Sequence, residues 1–309
     1  MLKFVLKRLL STLLVVIGIS FIIFFIMSLS PSNAAVVILG DSASKEEIQA
    51  LEKEMGLDKP VVVQYFNYMK KVILHFDFGD SYITKIPVVE DLLARLPTTV
   101  AIAAGAMVLM IVISIPIGII SAVRQYSIID NVTMLITMFV TSMPSFFFGL
   151  LVMLIFALYL NWLPSIGIES FKHFILPWMT VASVYIAQLV RMTRSNMLEV
   201  IRADYIRTAR AKGAPERTVI FKHALRNALL PITTILGINF GAMLGGAVMT
   251  ETVFSIAGVG SMIVQGIRQR NTPAVMIAIL FVSVSISLVN LLVDILNIYL
   301  DPRLRASLK

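Results

Sequence analysis

The sequence predicts an all-α polytopic membrane protein with six transmembrane helices, and three observations carry that reading. First, the chain of 309 residues is 58% hydrophobic and only 14% charged, whereas a water-soluble domain carries about 25% charged residues. Second, the missing charge is absent from blocks long enough to cross a bilayer, for which a helix needs about 20 apolar residues. Third, lysine and arginine are divided unequally between the two sides that six crossings would define.

The first span is residues 9–29, LLSTLLVVIGISFIIFFIMSL, preceded by Lys3, Lys7 and Arg8. Its 21 uncharged residues exceed the core of a secretory signal, about 7–15 residues, so a retained signal-anchor helix is expected. Residues 31–96 form a polar insert on the far side. Within DSASKEEIQALEKEMGLDKP, Ser44 and Glu47 have capping-box spacing, each able to satisfy the other's free backbone donor. Gly56 suits the left-handed position after that helix, and Pro60 blocks its continuation. A second short helix follows in PVVVQYFNYMKKVI, then FDFGDSYITKIPV with turn residues Gly79, Asp80, Ser81 and Pro87. The insert reads as a small cap, not an independent domain.

Five further uncharged runs complete the set: 97–123, 131–163, 174–190, 228–250 and 271–293. The run 131–163 is longer than one crossing, which places its end in the interface near Trp162 and Pro164. Pro116 and Pro144 predict kinks between packed helices, since neighbours can satisfy the freed carbonyls. Gly237, Gly241, Gly245 and Gly246 in the fifth span suit close helix packing in lipid far better than a phosphate cradle. The resulting division is 1–30 for the N-terminus and first helix, 31–96 for the insert, 97–300 for a five-helix core and 301–309 for a tail.

Six spans place both termini on one side. With that side cytoplasmic, 16 Lys and Arg lie inside and 10 outside, seven of those ten in the long insert. Long loops translocate largely regardless of charge, so the short segments decide the orientation. They divide 16 to 3. Both termini are therefore expected in the cytoplasm. The same rule accounts for most of the net charge of +8 without a nucleic-acid partner.

The densest basic segment is RADYIRTARAKGAPERTVIFKHALRNALLP, residues 202–231, with seven Lys or Arg and two acids. From Asn196 to Lys212 the pattern predicts one helix, with Met197, Ile201, Tyr205, Thr208 and Ala209 on a shared side and Arg202, Arg207 and Arg210 elsewhere. Gly213 ends it, and Pro215 suits the first position of a second helix carrying Val219, Ile220, Ala224 and Ala228. Small residues at Ala209, Ala211, Gly213 and Ala214 admit another backbone. The segment 196–229 is thus expected to be a cytoplasmic docking element. Positive-inside topology alone needs only a few charges and no structured turn. Anionic lipid binding remains a competing role, whereas a DNA-reading helix-turn-helix lacks base-reading residues.

The chemistry that is missing is equally informative. There is no cysteine, and His75, His173 and His223 are far apart, so no metal site is expected. No Gly-x-x-x-x-Gly-Lys-Ser/Thr phosphate loop is present, so the chain is not its own ATPase. No catalytic set suggests an enzyme. Polar groups inside spans tend to face a cavity or a partner. Gln188, Thr233, Thr234, Asn239, Asn290 and Asp294 are candidates to line a pathway, against ordinary helix packing. Ser283, Ser285 and Ser287 alternate and cannot all share one face. Glu251, at the outer end of the fifth span, is a candidate gate. Arg191 and Arg194 are expected to anchor the inner interface.

TARAKG followed by HALRNALLP resembles the coupling motif of bacterial ATP-binding-cassette importer permeases, and is most similar to the branch that imports dipeptides, oligopeptides and nickel. In register, Arg207, Thr208 and Ala209 stand where the general motif has Glu-Ala-Ala, with three residues between them and Gly213, so only the last alanine and the glycine match the general pattern. The resemblance extends to the KRLL start, the long first insert, TETVFSIAGVG at 250–260 and LDPRLR at 300–305. Two departures stand out: SPSNAA where relatives often have Pro-Gly-Asp-Pro, and Ala257 where a proline is usual.

The resemblance implies a type I importer permease fold (MetI-like) in a bacterial inner membrane. Arg207, Thr208, Ala209, Arg210, Lys212, Gly213, Ala214 and Pro215 would then form the ATPase-coupling site. The implied partners are a second homologous permease as a heterodimer, two cytosolic ATPases that use the ATP, an extracytoplasmic substrate-binding protein and membrane lipid. No cofactor is implied in this chain. The substrate would be a peptide or a nickel or other metal-chelate, and the insert makes the chain look like the first of two permeases. The rival reading is an ion-coupled secondary transporter, for which Asp294 and Glu251 are the available membrane carboxylates.

Overall fold

The computed structural model describes residues 2–29, 34–40 and 43–300. In chain order the helices are α1 (Leu2–Ser28), α2 (Ala34–Leu39), α3 (Lys45–Met55), α4 (Val61–His75) and α5 (Val88–Val123). Then come α6 (Ile128–Ser142), α7 (Ser145–Val152, continued by a π-helical stretch Met153–Tyr159), α8 (Phe171–Ile201) and α9 (Asp204–Ala211). The last are α10 (Glu216–Thr218, continued by a π-helical stretch Val219–Ala224), α11 (Leu225–Val253), α12 (Val259–Arg268) and α13 (Thr272–Leu300). Among the described residues there is no β-strand, only an isolated bridge between Asp80 and Pro87.

Four helices are long and apolar enough to cross a membrane: α1, α5, α8 and α13. Two bent pairs raise the number to six if each is one span, Ile128–Ser142 with Ser145–Tyr159 at 108° and Glu216–Leu229 with Pro231–Gly245 at 54°. Counted that way, each of the six expected spans has a helical counterpart, with changes at particular prolines. Pro144 does more than kink its run. Met143 is extended, as residues before proline prefer to be, and the helix restarts at Ser145. Pro116 lies within α5 without interrupting it. The second span begins well before residue 97, because VVEDLLARL joins it. Glu90 and Asp91 in its first turn favour that extension, as does the Asp91–Arg95 ion pair at 2.6 Å.

The chain divides into two compact units, Met1–Thr99 with Ala257–Ser287, and Val100–Ile256 with Leu288–Lys309. In the first unit, Ser44 caps α3 through the expected box with Glu47, and Gly56 closes it at φ +69°. Ser44 hydrogen bonds hold the exposed Glu47 carboxyl below its ordinary range. Phe24, Tyr65, Met69 and Met276 form one core; Val88, Leu92, Val259, Met262 and Ile277 belong to another. Buried Asn271 ties the 81–82 turn down: its Oδ1 accepts from the Tyr82 amide (3.1 Å) and its Nδ2 donates to Ser81 Oγ (2.7 Å).

The second unit has a larger core from α5, α7, α8 and α11, including Met110, Leu176, Leu189, Ile232, Met243 and Phe254. Backbones approach closely where glycine permits it. A Cβ at Gly105 would stand 2.0 Å from Trp178 Cε2, and one at Gly237 would stand 1.9 Å from Val293 Cγ2. Trp178 also donates its indole N–H to the Ala101 carbonyl at 3.0 Å.

Candidate functional site

The basic segment between α8 and α11 forms a bent hairpin. The single helix expected over 196–212 is not continuous. α8 stops at Ile201, Ala203 turns extended at ψ 148°, and α9 starts at Asp204. That break shifts the phase of the apolar side. Ile206 is fully buried, whereas Tyr205 and Thr208, expected on the inner face, are exposed. Gly213 ends the element in the left-handed conformation, φ +79°, and its amide donates to the Arg210 carbonyl at 2.9 Å. Pro215 takes the capping position, one residue earlier than expected, and α10 begins at Glu216.

A small apolar seam holds this hairpin. Met197, Ile206, Val219, Ala224 and Ala228 bury against Ile119 and Ala122. The π-helical turn at 219–224 puts Val219 and Ala224 into that seam together. The opposite side is open. Arg207, Thr208, Arg210, Lys212, Gly213 and Pro215 are exposed, and Ala209 and Ala214 are half-buried. Arg210 and Glu216 clasp the turn, with Nη2–Oε1 at 2.7 Å and Nε–Oε2 at 3.1 Å. That pairing lowers the Glu216 carboxyl and raises the Arg210 guanidinium from their ordinary values. The eight residues singled out from the motif therefore share one accessible, positively charged ridge on a seated base.

Just behind the hairpin lies a cluster that sequence reasoning missed. Asp130, at 1% exposure, lies in the first turn of α6. Arg194 grips it with two parallel bonds, Nε–Oδ1 at 2.6 Å and Nη2–Oδ2 at 2.7 Å. Ser121 Oγ also donates to Asp130 Oδ1, and the Tyr126 amide donates to Oδ2 at 2.9 Å. Arg194 is thus the partner of a buried acid, and Arg191 donates to the Thr137 carbonyl at 3.3 Å. The available signal was an acid at the edge of an uncharged run, but nothing in sequence pairs it with an arginine 64 residues away.

The membrane polar candidates separate by exposure. Gln188 on α8 and Thr233 on α11 are exposed on this chain. Asn239 and Glu251 on α11 are buried, Glu251 completely. Asn290 and Asp294 on α13 are half-buried, and Asn290 Oδ1 is enclosed without a hydrogen-bond partner. Thr234 Oγ1 bonds Asn297 Oδ1 at 2.7 Å, a link between α11 and α13 through a residue not singled out beforehand. In the first unit a cleft of about 530 Å³ is lined by Phe24, Gln64, Tyr68, Tyr82, Arg270 and Pro273, among others. Burial pushes the Tyr82 hydroxyl up to about 12.

Together these features define a multi-pass membrane subunit that offers a bent basic hairpin seated on an apolar seam and holds no phosphate loop of its own. Residues 114–306 match the family model described as the binding-protein-dependent transport system inner membrane component, and residues 1–103 match its N-terminal companion. The chain belongs to this family of importer permeases. It is 40% identical over 333 residues, covering 99% of this chain and all of the relative, to a dipeptide transport system permease protein of Alkalihalophilus pseudofirmus. It is 36% identical over 305 residues, 99% of each chain, to a glutathione transport system permease protein of Salmonella choleraesuis. It is also 36% identical over 310 residues, covering 98% of this chain and 99% of the relative, to a probable peptide ABC transporter permease protein of Sinorhizobium fredii.

Proposed function

We propose that the chain forms one half of the translocation pathway of an ATP-driven peptide importer. Its full-length similarity to dipeptide, glutathione and peptide permeases supports a small peptide as cargo. An extracytoplasmic binding protein delivers that cargo, and a second, homologous permease completes the pathway. Both termini and the hairpin face the cytoplasm, in keeping with the distribution of Lys and Arg. Two cytosolic ATPases bind and hydrolyse the ATP.

The observation that carries this reading is the exposed ridge from Arg207 to Pro215 on its buried seam of Ile206, Val219 and Ala224. Such a ridge suits a cleft on an ATPase subunit. Closure of the ATPase pair would push the hairpin, and through α8 and α11 would switch the pathway between inward and outward access. Exposed Gln188 and Thr233 and half-buried Asn290 and Asp294 are the side chains assigned to line that pathway, whereas the burial of Asn239 and Glu251 favours helix packing for the first and a structural role at the outer end of the fifth span for the second.

The experiment is Gly213→Arg in the assembled importer. The expected result is a chain that inserts normally, loses its co-purifying ATPases and takes up no peptide. Full uptake with normal ATPase recovery would contradict the coupling assignment.

A further inference from the structure

We propose that α4, within the polar insert, lies in the outer leaflet of the membrane with its outward face in lipid. Two neighbouring helices of the insert then lie in two solvents, α3 in water and α4 at the boundary of headgroups and acyl chains. This rests on the membrane-spanning character of α1 and not on the identity of the cargo.

The inward face of α4 fixes its depth. Tyr65, 3% exposed, packs its ring on Phe21 and Phe24 of α1 with centroids 5.1 and 5.7 Å away. Its hydroxyl bonds Ser20 Oγ at 2.7 Å and donates to the Ile17 carbonyl at 3.1 Å. α1 ends at Ser28. With a rise of 1.5 Å per residue, Ile17 is about 16 Å from that end along the axis. A crossing of about 20 residues reaches Ser28 when counted from Leu9, and Phe24 when counted from Val5. On either count Ile17 and Ser20 are inside the hydrocarbon, so a helix whose side chain reaches them is at or below the membrane's outer edge.

The outward face of α4 has the composition for that depth. Phe66, Ile73 and Leu74 are each more than 60% exposed, Val62 and Val63 are also exposed, and Phe76 follows at 79%. In water such a patch is unfavourable at about 25 cal/mol per Å² of apolar area. It is continuous in kind with α1, whose Leu13, Leu14, Ile22, Phe25 and Ile26 are likewise exposed along a membrane-crossing helix. Lys70 and Lys71 can carry their stems along this surface and place their ammonium groups among lipid phosphates. α3 differs: KEEIQALEKEM buries none of its residues and exposes Glu46, Glu47, Lys53 and Glu54.

The chain has no cysteine, so single nitroxide labels can be placed on it without background once the partner subunits are made cysteine-free. Phe66→Cys, Ile73→Cys and Glu46→Cys are labelled in the whole importer in lipid nanodiscs, and collisions with oxygen and with a water-soluble nickel chelate are compared. At 66 and 73 oxygen collisions are expected to dominate, with the ratio inverted at 46 and no change when binding protein is added. If Phe66→Cys does not accumulate, Leu74→Cys reads the same face. Nickel-dominated collisions at 66 and 73 would overturn the proposal by placing α4 in water. Shielding from both reagents would overturn it by placing a protein partner on this face.

Discussion

At Gly213 the backbone takes φ +79°, and a Cβ built there would meet nothing within 4 Å. The cost of any other residue is therefore conformational and not steric within this chain. Left-handed backbone costs an L-residue about 1–2 kcal/mol, with Asn among the better tolerated. Gly213→Ala is expected to weaken ATPase docking about 5- to 30-fold, Gly213→Asn less, and Gly213→Val more, read from ATPase binding to the purified permease. Asp130 is governed by a different balance. Its carboxylate is buried against Arg194, and removing one partner of such a pair costs about 3–5 kcal/mol, while an apolar replacement of both is often near neutral. Asp130→Asn and Arg194→Met should each lower the melting temperature. The double variant Asp130→Leu with Arg194→Met should recover much of the loss. Additive losses in that cycle would show that the two side chains act independently.

Among the elements, the α9–α10 hairpin is tuned by the Arg210–Glu216 clasp. Both side chains are well exposed, so the pair contributes little to global stability. Its effect is on local order, with a defined sign. The Glu216 carboxyl is lowered in the fold from its ordinary 4.5, so the clasp is fully present above that value and is lost as pH falls through the lower, folded one. A spin label at Lys212→Cys should become more mobile across that acid window, and Glu216→Gln should remove the transition. At Gly105, where Trp178 occupies the space of a Cβ, Gly105→Ala forces the indole from its bond to Ala101. Overpacking of this kind costs about 1–3 kcal/mol, to be seen as earlier thermal unfolding.

Element-scale features were the most legible ones in sequence. A crossing helix announces itself by an uncharged run, and Ser44, Glu47 and Gly56 specify a cap by local spacing alone. Most of the exposed basic ridge was legible for the same reason, since Gly213 and Pro215 punctuate it locally. The break at Ala203 was not, because nothing at Arg202 or Ala203 forbids a helix and the extended turn is selected by packing Ile206 into the seam. The Asp130–Arg194 pair and the contact of Tyr65 with α1 were illegible because each joins segments distant in sequence.

At the scale of the whole molecule, the chain separates its tasks along its length. The charge-poor helices provide the crossing, with polar side chains confined to a few positions such as Asn239, Glu251 and Asn290. No phosphate loop is present in the sequence, and on the proposed reading the exposed Arg207–Pro215 ridge, seated on a buried apolar seam, is where the ATPase subunits would act. The most direct test of that central claim is a photo-crosslinker carried on Lys212→Cys in the intact importer. Adducts with the ATPase subunits that change in yield with ATP are expected. Adducts with the extracytoplasmic binding protein, or none with an ATPase under any nucleotide condition, would contradict the account.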